Sequence, residues 1–176
     1  MYLRYNNFKT QNVTTFSGSL YAISAKPKKM SDEKREKYFK MVYDNIEKYG
    51  FHNTFVMEEI GFTPFGYSTG IYKHFGIPEL FISGLPNGLT NTLITNYVER
   101  FKFKEIPLNK KINDLIDRFP VYFIEVKNDK LTEYALSSFK FYENSEFKYL
   151  QLIFPDLNGF FPNEAEYDYD QEILGK

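Results

Sequence analysis

Three strand-like runs follow one another between two helical patterns. That succession limits the fold more than any other feature of the chain. "FHNTFVMEE" (51–59), "FGYSTGIY" (65–72) and "ELFISGL" (79–85) are separated only by the turn-like stretches "GFTP" and "KHFGIP". Strands joined this closely pair antiparallel, because a parallel crossover needs a dozen or more residues. The sheet therefore cannot be wholly parallel. In the first run Phe51, Phe55 and Met57 share one face, with His52, Thr54 and Val56 on the other. In the second, Phe65, Tyr67, Thr69 and Ile71 stand opposite Gly66, Ser68 and Gly70. A face with so few side chains invites close approach by a backbone, a helix or a ligand, and packing is the preferred reading. The third run is apolar on both faces and predicts a buried strand.

The flanking patterns are helical. Ser31 can cap a helix whose first turn holds Asp32 and Glu33, where the helix dipole favours negative charge. Tyr38, Val42, Ile46 and Tyr49 recur at helical spacing, and Gly50 is a plausible stop. A second stripe runs through Leu89, Leu93, Tyr97 and Phe101, with Ile94 and Val98 beside it. "VYFIEVK" and "KYLQLIF" predict further strands, and "KLTEYALSSFKFYE" predicts a helix through Leu131, Ala135 and Tyr142. "KFKEIPLNKKINDLIDRFP" predicts a long connection with one helical turn at most. Residues 1–30 predict an N-terminal extension, either a weak hairpin across "NVTTFSGSLYAIS" or an arm. The expected architecture is one α+β domain over residues 31–176. It has a mixed, mostly antiparallel sheet of about five to seven strands covered by about three helices.

Composition removes several function classes. At 176 residues the chain fits one domain and can bury a core unaided. It has no cysteine, which excludes disulfides, thiolate catalysis and Cys-ligated zinc. Lys and Arg number 22 against 23 Asp and Glu, so net charge gives no argument for nucleic acid. No stretch predicts a membrane span, and "MYLRYNNFKT" lacks a secretory pattern, so the cytoplasm is the expected location. No cofactor is expected. The expected partner is an unknown small molecule or protein. Neither nucleic acid nor membrane is expected, and the oligomeric state is open.

Candidate chemistry is sparse. His52 and His74 lie on different elements, outside metal-binding spacings, so no metal site is predicted. Neither Ser68 nor Ser83 has the G-x-S-x-G setting of a nucleophile. "GLPNGL" precedes a helix but lacks the lysine of a phosphate-binding loop, and an ordinary turn is preferred. His74 and Glu79 lie five residues apart across a turn and form a conceivable proton-transfer couple. In "FPDLNGFFP", Asp156 suits an Asx turn. The acidic run 164–172 alternates with Tyr167 and Tyr169 and is preferred as a tail strapped down by those tyrosines.

"YSTGIYKHFGIPELFISGLP" and "LQLIFPDLNGFFP" together resemble the two signature blocks of the family called domain of unknown function 4262. Tyr67, Gly70, Pro78, Glu79, Leu80, Gly84 and Leu85 match the first block. Gln151, Leu152, Pro155, Asp156, Gly159, Phe161 and Pro162 match the second, and Gln171 matches a glutamine that often closes the domain. The resemblance runs from about residue 36 onward. Ile77 stands where the family usually has histidine, with His74 three residues earlier. The resemblance implies a motif map but no reaction. The polar residues of the two blocks, Tyr67, Thr69, His74, Glu79, Gln151, Asp156 and Gln171, are the candidate ligand-binding set. If the blocks meet, they form a polar pocket rimmed by aromatics. The alternatives are a hydrolase using Glu79 and Asp156 with a metal or His74, and a protein-interaction module of the immunity or defence kind.

Overall fold

A computed structural model describes residues 9–13, 20–24, 31–58, 62–143 and 145–176. Its strands are β1 (Lys9–Val13), β2 (Leu20–Ser24), β3 (His52–Val56), β4 (Phe65–Thr69), β5 (Glu79–Ser83), β6 (Tyr122–Val126) and β7 (Tyr149–Ile153). They form one sheet in the order β1-β2-β3-β4-β5-β7-β6. The pairs β1–β2, β3–β4, β4–β5 and β6–β7 are antiparallel. The pairs β2–β3 and β5–β7 are parallel. The α+β class and the mostly antiparallel sheet follow the sequence expectation. Among the described residues, no helix is long and apolar enough to cross a membrane.

Among the described residues, four α-helices pack on this sheet: α1 (Asp32–Tyr49), α2 (Ile71–Phe75), α3 (Asn87–Phe101) and α4 (Leu136–Tyr142). The Ser31 side chain accepts the Lys34 N–H at the start of α1. Gly50, at φ 84°, ends it with its N–H donated to the Ile46 carbonyl. Tyr38, Val42 and Ile46 are buried, whereas Tyr49 is exposed. α1 and α4 lie on one side of the sheet against Tyr67, Phe81 and Tyr149. α3 covers the other side, where Leu93, Ile94 and Tyr97 meet Leu80, Ile82 and Leu152. Burying each such side chain contributes about 1.5–3 kcal/mol.

The bare face of β4 receives α3. A Cβ on Gly66 would lie 2.5 Å from the Thr90 methyl, so the glycine lets the helix approach. Two local expectations are revised. The strand of "FGYSTGIY" stops at Thr69, and Ile71 opens α2. Gly70 turns the chain at φ 105°, where a Cβ would press on Ile46 and the Gly50 carbonyl. The helix expected through Leu131 begins only at Leu136; a 3-10 turn, Asn128–Lys130, precedes it. Tyr134 and Ala135 both donate their N–H to the Leu131 carbonyl, tightening the chain between the two. The segment 102–120 contains no α-helix and is held by bridges from Leu108 to Phe123 and from Ile112 to Val121.

Candidate functional site

Six of the seven candidate residues fall into three groups along the sheet, and His74 lies apart on α2. The first centres on Glu79, the opening residue of β5, whose side chain is fully buried. Its Oε1 accepts the N–H of Gly70 at 2.8 Å and of Tyr72 at 3.0 Å. It also accepts the Tyr142 hydroxyl at 2.5 Å, and Oε2 accepts the Ser68 hydroxyl at 2.5 Å. A carboxylate acceptor thus replaces a local cap for α2, whose own N-cap, Gly70, has no side chain. Ser68 in turn accepts the Leu80 N–H at 2.8 Å. Burial raises the Glu79 pKa, against which the hydrogen bonds from Ser68, Tyr142, Tyr72 and Gly70 pull it down.

Tyr67 and Thr69 face the start of α4. The Tyr67 hydroxyl is 2.6 Å from Ser137 Oγ and accepts the Ser137 N–H. Tyr38 and Thr54 complete this hydroxyl cluster at 3.1 Å from each other. Thr69 Oγ1 lies 2.7 Å from Ser138 Oγ, and Ser138 meets the Tyr149 hydroxyl at 2.7 Å. Burial raises the pKa of both Tyr67 and Tyr149. These hydroxyls stay protonated and fasten α4 to the sheet. His74 points elsewhere: it lies exposed on α2 while Glu79 is enclosed.

Asp156 defines the second group, at the opposite end. Glu79 pairs with Tyr149 in the parallel β5–β7 register, and Asp156 follows seven residues later, beyond the end of β7. At about 3.3 Å per residue the stretch from Tyr149 to Ile153 alone spans about 13 Å, and Asp156 lies beyond it. Glu79 and Asp156 therefore do not share a site. Asp156 Oδ1 accepts the N–H groups of Asn158 and Phe160, both at 2.9 Å, and Oδ2 accepts that of Asp168 at 3.0 Å. Desolvation works against its charge, but these backbone donors outweigh it and hold the carboxyl below its usual range. The nearby Tyr167 is pushed up to about 12 by burial and then by Asp156.

Gln151 forms the third group, on the α1 side of the sheet opposite Phe81. Its carboxamide is buried, and both ends are spent on the backbone of residues 172–175. Nε2 donates to the Glu172 carbonyl at 2.6 Å, while Oε1 accepts the N–H of Leu174 at 2.8 Å and of Gly175 at 3.1 Å. Ser83 Oγ accepts the Glu172 N–H at 3.1 Å. The Tyr134 hydroxyl donates to the Glu172 carboxylate, and its ring packs edge-on against Phe65 and Phe81. Tyr169 donates its hydroxyl to the Gly84 carbonyl at 2.9 Å. Lys176 donates its N–H to the Glu125 carbonyl at 3.1 Å. Residues 169–176 thus cross β5, β7 and β6 in turn as a strap. Gln171, within the strap, is buried with neither end of its carboxamide partnered.

Sequence reading missed Ser68, Ser83, Tyr134, Ser137, Ser138 and Tyr142 as parts of these groups. The Ser137–Ser138 pair at the start of a helical pattern was the available signal. Their partners lie about 70 residues away and leave no local trace. Among the described residues, no three His, Cys, Asp or Glu side chains converge.

Comparison with family models finds the domain of unknown function named DUF4262 over residues 45–168. Neither the curated proteins nor the solved structures yield a match. The chain belongs to the DUF4262 family.

Proposed function

We propose that this DUF4262 domain is a binding module whose ligand or partner lies across the cradle made by Ser83, Gln151 and Tyr134. One observation carries this reading: a fully buried glutamine that turns its whole carboxamide toward a segment outside the core elements. A buried amide needs partners for both ends, and a core normally supplies them from its own strands and helices. Here they come from a strap that covers the cradle. The rim is aromatic, through Phe65, Phe81 and Tyr134. Convergent polar groups within an apolar rim are the common form of a recognition site.

Gly175→Val tests this directly. A Cβ there would meet the Glu125 carbonyl oxygen at 2.5 Å, so the substitution lifts the strap. Native mass spectrometry of the folded, full-length variant should show a co-purified adduct that is lost when Gln151→Ala is added. A folded Gly175→Val protein without any such adduct sinks the proposal if its Gln151 side-chain amide signals also stay fixed against a set of small polar fragments and peptides.

A further inference from the structure

We propose that the cradle takes an extended acidic peptide in trans, of the pattern acidic–x–acidic–x–apolar–Gly, and that residues 169–176 are its stand-in. This rests on the cradle being a binding surface and names the class of partner.

The pattern is read from the contacts of the strap. Gln151 and Ser83 address its backbone, while Leu174 packs against the core and Tyr169 donates its hydroxyl to the Gly84 carbonyl. Two side chains are read as hydrogen-bond acceptors. Asp170 accepts the Thr63 hydroxyl at 2.8 Å, and Glu172 accepts the Tyr134 hydroxyl. Ile173 points outward and is 40% exposed, which leaves that position free. Gly175 is required by space. A Cβ would lie 2.5 Å from the Glu125 carbonyl oxygen and 2.7 Å from the Ile124 side chain.

Groove and occupant are also separable. Thr63, Ser83, Tyr134 and Gln151 fall inside the family match, residues 45–168, whereas the occupant follows it. The strap pairs with no strand as a ladder, so lifting it opens no sheet edge in β5 or β7. It is also an imperfect occupant, because it buries the Gln171 carboxamide without a partner. Backbone-directed polar contacts with side-chain selection at alternate positions are how extended peptides are commonly bound.

Tethering gives the strap an effective concentration on the order of millimolar, so it competes with any external peptide. The test is fluorescence polarisation with a labelled peptide of residues 168–176, DYDQEILGK. The full-length Gly175→Val protein should bind it, and the parent protein should bind at least about tenfold more weakly. Adding Ser83→Ala to the Gly175→Val protein should weaken binding about five- to tenfold, the effect of one lost hydrogen bond. A peptide carrying Gly175→Val should not bind. The proposal is overturned if the folded Gly175→Val protein ignores the peptide, or if both peptides bind alike. If the peptide fails while a Gln151-dependent adduct is present, the peptide class falls and the binding module stands. If both are absent, both fall.

Discussion

Glu79 and Gln151 sit on the same side of adjacent strands, two register positions apart, and their buried polar groups are used in opposite ways. Glu79 draws its partners from Ser68, Gly70, Tyr72 and Tyr142, all in or beside packed elements. Gln151 draws its partners from a strap that belongs to no helix or strand. A buried acceptor satisfied by the core sets the shape of the fold. One satisfied by a segment outside the helices and strands is what the binding proposal rests on. The family motif supplies both residues without distinguishing these uses.

The sharpest way to break this comparison is at Glu79. Glu79→Ala leaves four buried donors without an acceptor, at about 1–3 kcal/mol each before relaxation. A loss of about 5 kcal/mol is expected in urea denaturation, enough to unfold many domains of this size. Glu79→Gln keeps a carbonyl oxygen and should cost about 2 kcal/mol. If Glu79→Ala is as stable as the parent, Glu79 is no anchor and the contrast with Gln151 collapses.

Titration gives the next effect, also at the closed end. His52 is fully buried in β3, its Nδ1 3.3 Å from the Asn45 amide, and burial lowers its pKa from 6.5 to about 3. A depressed pKa means the unfolded chain binds more protons between these values. Stability is therefore full above pH 6.5 and falls as pH drops toward 3, by roughly 4 kcal/mol in all. Replacing His52 with Asn should remove most of that slope. Glu79 acts in the other direction. Its pKa is raised from 4.5, so the stability it contributes is full below pH 4.5 and is lost as pH rises through the folded value. The stability of the parent relative to Glu79→Gln should therefore decline from pH 4.5 upward. A flat difference would show that Glu79 is not held in a desolvated site.

Much of the scaffold was legible because its signals are local. Ser31 and Gly50 bracket α1, alternation marks β3, and the apolar run marks β5. The bare face of Gly66 and Gly70 foretold a close approach, which α3 and α1 make. What stayed hidden depends on distant partners. Ile71 reads as strand until Glu79 is seen to take the Gly70 and Tyr72 N–H groups. The motif pointed to Glu79, Gln151 and Asp156, but only register shows that Glu79 and Asp156 stand at opposite ends of the sheet. The strap was legible as tyrosine-fastened, yet its hold on Gln151 is made through backbone groups that carry no sequence signature.

The smallest effect tests the comparison most closely. Gly175→Val should cost only about 1 kcal/mol in global stability, because the strap adds a few hydrogen bonds over the core and little apolar burial beyond Leu174 and Tyr169. Hydrogen exchange should quicken at the amides of Glu172, Leu174, Gly175 and Lys176, which are donated to Ser83, Gln151 and Glu125. The amides of Gly70 and Tyr72, donated to Glu79, should keep their protection. That split is the physical content of a separable segment, since one end opens while the other does not. If Gly175→Val instead lowers stability as much as Glu79→Gln and loosens both sets of amides together, the strap is part of the cooperative core. Gln151 would then be a structural glutamine like the structural glutamate beside it.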